Sequence, residues 1–255
     1  MLSGVKGILC DVDGVVSIGR TPIPGAAEAL EHLASNGIPY RFVTNTTTES
    51  RTTLYKRLRA MGIPLEPDHL FTTHEVAARY LVDRGRPTCF LLVEDGVREA
   101  YAGIPTDEST PDIVLVGDIG DRWDYPLLNR VFNMIMSGAE IVALHKGRYW
   151  QTEAGLKMDI GAFVAGLEYA TGKSATIVGK PEAAFFEIAL ADLGLARDDV
   201  VMIGDDIESD VGGAQRAGIR GVLVKTGKYE EDAVKRSSIK PYAVISSIAE
   251  LTRLI

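Results

Sequence analysis

Gly7-Ile8-Leu9-Cys10-Asp11-Val12-Asp13-Gly14 is the stretch on which the reading of this chain turns. An apolar run beginning at Val5 drives into two carboxylates on alternate residues, at the end of a strand that the pattern predicts to be buried. Such a pair is costly there, through desolvation and mutual repulsion, unless a cation or a reacting group uses it. The junction therefore points to an active site. Asp11 and Asp13 would face opposite ways on a continuing strand, but Gly14 lets the backbone turn so that both meet one pocket. Taken alone, the stretch reads equally well as a strand followed by an Asp-Gly turn.

Outward from this junction, short β-rich apolar runs alternate with amphipathic helical stretches, the pattern of βαβ units around a parallel sheet, so the fold class is α/β. Strands are predicted at residues 7–10, 40–43, 176–178, 200–203 and 221–224, with helices at 25–36, 50–61, 182–193 and 210–217. Most of these strands end in a polar cluster. In open α/β sheets ligands collect outside the carboxyl ends of strands, which directs Asp11/Asp13, Thr44/Asn45 and Gly204-Asp205-Asp206 toward one crevice. The stretch between Asn45 and Lys180 is far longer than a crossover requires and carries its own alternation, with strands predicted at 89–93, 113–116 and 141–144 and helices at 125–136 and 160–169. It reads as a second α/β unit inserted into the first: residues 1–80 and 173–255 form one unit, 81–172 the other.

With 46% apolar residues, the 255-residue chain has ample material for a core. Its net charge of −8, with no basic cluster, works against a nucleic-acid partner. Cys10 and Cys89 are too few for a disulfide framework and lack zinc-site spacing, so a reducing, cytoplasmic setting is expected. No apolar run approaches a membrane span, and no signal segment is expected.

Asp205, in Ile203-Gly204-Asp205-Asp206-Ile207-Glu208-Ser209-Asp210, adds acid at another strand end. Gathered carboxylates favour a hard cation such as Mg²⁺ over zinc, although an Asp here also suits a helix N-cap, a role open to Asp210. Lys180, in Val178-Gly179-Lys180-Pro181, is either a solvated loop lysine or an ammonium fixed beside a carboxylate nucleophile and a phosphate. Thr44-Asn45 supplies a hydroxyl and backbone N–H groups suited to phosphoryl oxygens, or simply leads into a turn at Thr46–Thr48. Val116-Gly117-Asp118 imitates the Gly204-Asp205 pattern but precedes Lys180 and lies in the insert, so it is assigned to a strand-turn there. His32, His69, His74 and His145 show no metal-ligand spacing.

With these pieces in order, the chain resembles the haloacid dehalogenase (HAD) superfamily of phosphotransferases. Asp11-Val12-Asp13-Gly14 matches its first motif, Thr44-Asn45 its second, Lys180-Pro181 its third and Gly204-Asp205-Asp206 through Asp210 its fourth. Thr44-Asn45-Thr46-Thr47 and Val211-Gly212-Gly213-Ala214-Gln215 are similar to the NagD-like branch, and within it to the phospholysine phosphohistidine inorganic pyrophosphate phosphatases and their relatives. The resemblance implies a Rossmann-like core with a large α/β cap inserted between the second and third motifs. It also implies that Asp11 is the nucleophile forming an aspartyl-phosphate, and Asp13 the general acid and base. Asp11, the Asp13 carbonyl and Asp205 would hold Mg²⁺, with Asp210 in support; Thr44, Asn45 and Lys180 would bind the phosphoryl group. Some relatives lack an acid at the Asp13 position; this chain keeps one.

The implied activity is a Mg²⁺-dependent phosphatase acting on a small phosphorylated metabolite, whether a phosphate ester, a phosphoamide or pyrophosphate. The alternative is a phosphoacceptor or phosphate-binding module without multiple turnover. Cap contacts in similar proteins suggest a homodimer. His145 to Trp150 and Asp159 to Gly161 are the cap segments expected near the leaving group.

Overall fold

Gly7–Cys10 forms β1, buried at every residue and lying in the interior of a six-stranded parallel sheet. The computed structural model describes residues 4–152 and 155–255. After β1 come β2 (Ser17–Ile18), β3 (Thr21–Pro22), α1 (Ala26–Ser35), β4 (Tyr40–Thr44), α2 (Arg51–Ala60), β5 (Leu70–Thr72) and α3 (Thr73–Asp83). The insert supplies β6 (Cys89–Leu92), β7 (Ile113–Val116), α4 (Tyr125–Met136), β8 (Glu140–Ala143), β9 (Tyr149–Thr152), β10 (Gly155–Met158), α5 (Gly161–Thr171) and β11 (Thr176–Ile177). The chain closes with α6 (Ala183–Leu193), β12 (Val200–Gly204), α7 (Gly213–Arg216), β13 (Arg220–Val224), α8 (Glu231–Arg236), β14 (Ala243–Ile245) and α9 (Leu251–Leu254).

The main sheet runs β14-β13-β12-β1-β4-β5. From β1 the chain builds outward to β4 and β5; after the insert it resumes at β12 on the other side of β1 and builds outward to β14. Winding therefore reverses at β1, where an open parallel sheet offers a crevice at the carboxyl ends of its strands. Asp11, Thr44 and Asp205 sit at the ends of the adjacent strands β1, β4 and β12, so topology alone gathers them. β1 and β12 read as unbroken apolar runs because helices cover both faces.

The insert has its own parallel sheet, ordered β11-β8-β7-β6. Val131 and Ile135 of α4 and Val164 and Leu167 of α5 pack on one side of it. Its other side continues the main core, because one apolar cluster links Leu9, Val43 and Met202 to Leu91, Leu115, Val142 and Leu144. The α/β class and the inserted α/β cap are as expected.

Two local expectations change, and one strand is added. The strand at Thr176–Ile177 pairs with β8, not with the main sheet, so it belongs to the cap and lies past the expected boundary at residue 173. Alternation in sequence marks a strand but not the sheet it joins. β5, absent from the sequence reading, forms the edge of the main sheet, where three residues are too few for a periodic signal. The helical turn expected from Asp210 begins at Ile207, because Asp206 caps it: its Oδ1 accepts from Glu208 N and Ser209 N, both at 2.9 Å.

His74, buried on α3, ties this scaffold to the loop after β4. Its Nε2–H donates to the Thr47 carbonyl at 3.0 Å, and its Nδ1 accepts from Tyr101 Oη at 2.7 Å. Both nitrogens are satisfied by the neutral ring, and burial lowers its pKa to about 4. In the unfolded chain the ring titrates near ~6.5. As pH falls from there toward 4 the unfolded chain takes up the proton first, and stability is lost at roughly 1.4 kcal/mol per pH unit, about 3 kcal/mol in all. Denaturant unfolding at several pH values should show this loss, and His74→Gln should flatten it by about one proton.

Candidate active site

Backbone hydrogen bonding carries Asp11 one residue past β1, where its N–H donates to Ile203 O at 2.9 Å. The chain then coils tightly, with the N–H groups of Val16 and Ser17 donating to Val12 O. Gly14 sits in the left-handed region at φ +87°, and a Cβ there would collide with the Asp205 carboxylate. The glycine is thus required twice, by its backbone angle and by the approach of Asp205.

Lys180 Nζ lies 2.7 Å from both Asp11 Oδ1 and Asp210 Oδ1. All three residues are buried, as is Asp205, whose Oδ2 accepts from Lys228 N at 2.7 Å. Burial pushes the Asp11 and Asp210 carboxyls above their ordinary values, against the pull of the Lys180 ammonium. Burial, with the charges of Asp11 and Asp210, pushes Asp205 well up. Burial alone would pull Lys180 down, yet Asp11 and Asp210 hold it above its ordinary value. One oxygen from each of Asp11, Asp205 and Asp210 falls within 4.8 Å of the others. Three buried carboxylates around one lysine leave negative charge uncompensated, and an all-oxygen donor set fits a hard divalent cation such as Mg²⁺. Asp210 therefore joins this cluster and does not cap a helix; that task falls to Asp206.

Asp13 lines the same cleft, and its charge reaches Asp11. Thr46 Oγ1 donates to Asp13 Oδ2 at 2.8 Å. Because that hydrogen is spent on the carboxylate, the 2.8 Å contact between Thr44 and Thr46 has Thr44 as donor, and Thr44 Oγ1 accepts Thr46 N–H at 3.0 Å. Thr44 thus reaches the cleft, but its hydroxyl hydrogen is committed to Thr46. The Asn45 side chain grips Lys180 at both ends, Nδ2 donating to Lys180 O at 2.9 Å and Oδ1 accepting Lys180 N–H at 3.0 Å. Asn45 therefore positions Lys180 through its side chain.

Thr46, treated in the sequence as part of a turn, orients Asp13. Thr46→Val is expected to lower kcat about tenfold with little change in KM, the loss of roughly one hydrogen bond to a charged group. Thr46→Ser should restore most of the rate. Steady-state kinetics of the two variants check the role, since a merely structural residue would not split them this way.

The cleft has a volume of about 860 Å³ and is walled by both units. Arg57 of α2 reaches it, bonded to Glu49 Oε2 at 2.9 Å and Gly19 O at 2.7 Å, with Nη2 4.0 Å from Asp13 Oδ1. Lys228 also lines it; burial would lower that ammonium, but Asp205, Asp206 and the neighbouring carboxylates hold it up. Sequence reasoning passed over both. Lys228 had a signal, a polar cluster after β13, whereas Arg57 sits in an ordinary basic helix. From the cap come His145, Tyr149, Trp150 and Asp159, within the segments expected near the leaving group, and also Asp118. Asp118 does form a strand-turn after β7, its Oδ1 accepting Gly120 N–H at 2.8 Å, but that turn faces the cleft.

A haloacid dehalogenase-like hydrolase family model matches residues 8–104, and a HAD-hydrolase-like model matches residues 177–251. The human haloacid dehalogenase-like hydrolase domain-containing protein 2 is 42% identical over 95% of this chain and 93% of its own length. The chain belongs to the haloacid dehalogenase-like hydrolases. Among members of this hydrolase family, the human phospholysine phosphohistidine inorganic pyrophosphate phosphatase is 36% identical over 100% of this chain and 95% of its own. The crystal structure of 4-nitrophenylphosphatase from Thermotoga maritima superposes with a TM-score of 0.92, at 27% identity, over 99% of this chain and 98% of that one. NagD from E. coli K-12, 24% identical, shares the fold with a TM-score of 0.87 over 96% of this chain and 98% of its own. The resemblance drawn from the four motifs is borne out, and this hydrolase is an enzyme.

Proposed function

We propose that this chain is a Mg²⁺-dependent phosphatase that hydrolyses a small phosphorylated metabolite, whether an ester, a phosphoamide or pyrophosphate, through an aspartyl-phosphate on Asp11. The observation that carries this reading is the pairing of two differently placed carboxylates on one cleft. Asp11 is buried against Lys180 at the end of a central strand, and Asp13 is half-exposed and held by Thr46. Its similarity to phosphatases supports it.

An Asp11 carboxylate oxygen attacks phosphorus, and its O–P bond forms as the bond to the leaving group breaks. Asp13 delivers a proton to the departing oxygen or nitrogen. It then takes a proton from water, whose oxygen displaces the Asp11 carboxylate and frees inorganic phosphate. Lys180, fixed by Asn45, holds positive charge beside the attacking carboxylate throughout. Asp11, Asp205 and Asp210 would hold Mg²⁺ together with the Asp13 carbonyl; the bound cation offsets the repulsion between carboxylate and phosphate.

The test is phosphate release from a panel of phosphorylated metabolites, p-nitrophenyl phosphate, phosphoamides and pyrophosphate. Turnover is expected with Mg²⁺ and should be abolished by chelator. The same chelation should lower the thermal midpoint, because a ligand bound only by the folded state stabilises it. A phosphorylated Asp11 trapped without multiple turnover would replace this reading with that of a phosphoacceptor.

A further inference from the structure

The cap brings three buried polar side chains to the cleft: Asp118 after β7, His145 after β8 and Asp159 just before α5, with exposures of 9%, 4% and 8%. The loops that carry the last two are locked together, Asp159 N donating to Arg148 O at 3.1 Å and Gly161 N to Gly147 O at 3.0 Å. No side chain fits between them: a Cβ on Gly147 would stand 2.5 Å from Asp159 Oδ2, and one on Gly161 2.7 Å from Lys146 O. Lys146, which also lines the cleft, has its ammonium paired with Glu168 of α5.

His145 Nδ1 accepts Gly147 N–H at 3.1 Å, so the neutral ring carries its hydrogen on Nε2. Burial favours that neutral form by lowering the ring's pKa. The nearest carboxylate oxygen to Nε2 is Asp159 Oδ1 at 3.8 Å, beyond hydrogen-bond reach, and it already accepts Ile160 N–H at 2.7 Å. Among the described residues this N–H has no acceptor. Gly120 N–H occupies Asp118 Oδ1 and leaves Oδ2 over, as Ile160 N–H leaves Asp159 Oδ2. The ring is buried but its Nε2–H opens onto the cleft, so a group bound there can complete the site.

A hydroxyl both accepts from an N–H and donates to a carboxylate. An ammonium would leave Nε2–H unmet, an anionic group would meet two acids, and an alkyl chain would satisfy none of the three. Tyr149 and Trp150 on the same wall offer flat apolar surface for the carbon skeleton. We propose that Asp118, His145 and Asp159 form the leaving-group subsite and read hydroxyl groups, making a polyol or sugar phosphate the substrate class. This rests on the phosphatase reading above. It gives Asp118 a binding role that its place in a strand-turn did not suggest.

The test compares a hexose 6-phosphate with cyclohexylmethyl phosphate, which keeps the ring shape without hydroxyls, and with 6-aminohexyl phosphate. p-Nitrophenyl phosphate serves as the turnover control, and calorimetry measures binding of the matching phosphonates. The hexose compound is expected to exceed the carbocycle in kcat/KM by about tenfold or more. His145→Phe should bring that ratio toward one, and His145→Gln, which keeps an N–H donor, should retain part of it. Equal values for hexose and carbocycle, or preference for the amine, overturn the subsite. If p-nitrophenyl phosphate is turned over without any hydroxyl preference, the subsite falls and the phosphatase stands. If nothing is turned over but the hexose phosphonate binds about tenfold tighter than the carbocyclic one, the phosphatase reading falls and the subsite stands.

Discussion

Asp11→Asn is expected to reduce phosphate release by about 10⁴-fold or more, the scale on which loss of a nucleophile acts. The amide keeps the shape of the carboxylate but cannot form the acyl-phosphate bond. Folding should survive the change. Lys180 retains Asp210 at 2.7 Å, and the variant removes one of three buried carboxylates grouped around that lysine. The fold already disfavours the charged form of Asp11 through burial, so its removal relieves a desolvation penalty. A thermal midpoint in chelator equal to or above that of the parent, together with the lost turnover, is the expected pair of results. Residual activity within tenfold of the parent would remove Asp11 from the nucleophile's place.

Lys180→Met should have the other large effect, on stability as well as rate. Its ammonium is the direct ion-pair partner of both Asp11 and Asp210. An apolar side chain of similar length would leave two buried carboxylates without it. Removing one member of a buried ion pair costs about 3–5 kcal/mol, because the remaining charge stays desolvated and uncompensated. Turnover should fall by about 10³-fold, as when a group aimed at transition-state charge is lost. Denaturant unfolding of Lys180→Met, Asp210→Asn and the double variant isolates the cause. The double variant should be less destabilised than the two single changes added together, since the amide no longer needs a counter-charge. Strict additivity would mean that the ion pair contributes nothing of its own.

Most of the main unit was legible because its strands are buried on both faces and read as unbroken apolar runs that stop at polar clusters. β1 and β12 are the clearest cases, each apolar to the residue before an aspartate or glycine. β5 and β11 were harder for different reasons. β5 is three residues long, and β11 has the pattern of a strand but takes its sheet from a partner thirty-odd residues upstream. In the site, residue types gave the chemistry while hydrogen bonds redistributed the roles. Asn45 and Asp206 carry side chains suited to several tasks, and which task each performs depends on a contact that no local pattern encodes. Asp118 and His145 were legible as residues at strand ends; that they share a cleft with Asp11 follows only from how the cap sits on the sheet.

The placement of β11 has a consequence for how the two units hold the reacting end of the cleft. Val178 N donates to Ala143 O at 3.1 Å and Gly179 N to Leu144 O at 2.8 Å, so the ladder of the cap sheet runs on through Gly179. At the next residue the attachment changes, and both backbone groups of Lys180 belong to Asn45. On this side of the insert the seam between the two bodies is thus a single peptide link, and the lysine beside the nucleophile stands directly on its far edge. Any shift of the cap would reach that lysine through one bond, and the Asn45 amide is the rivet that holds its ammonium beside Asp11.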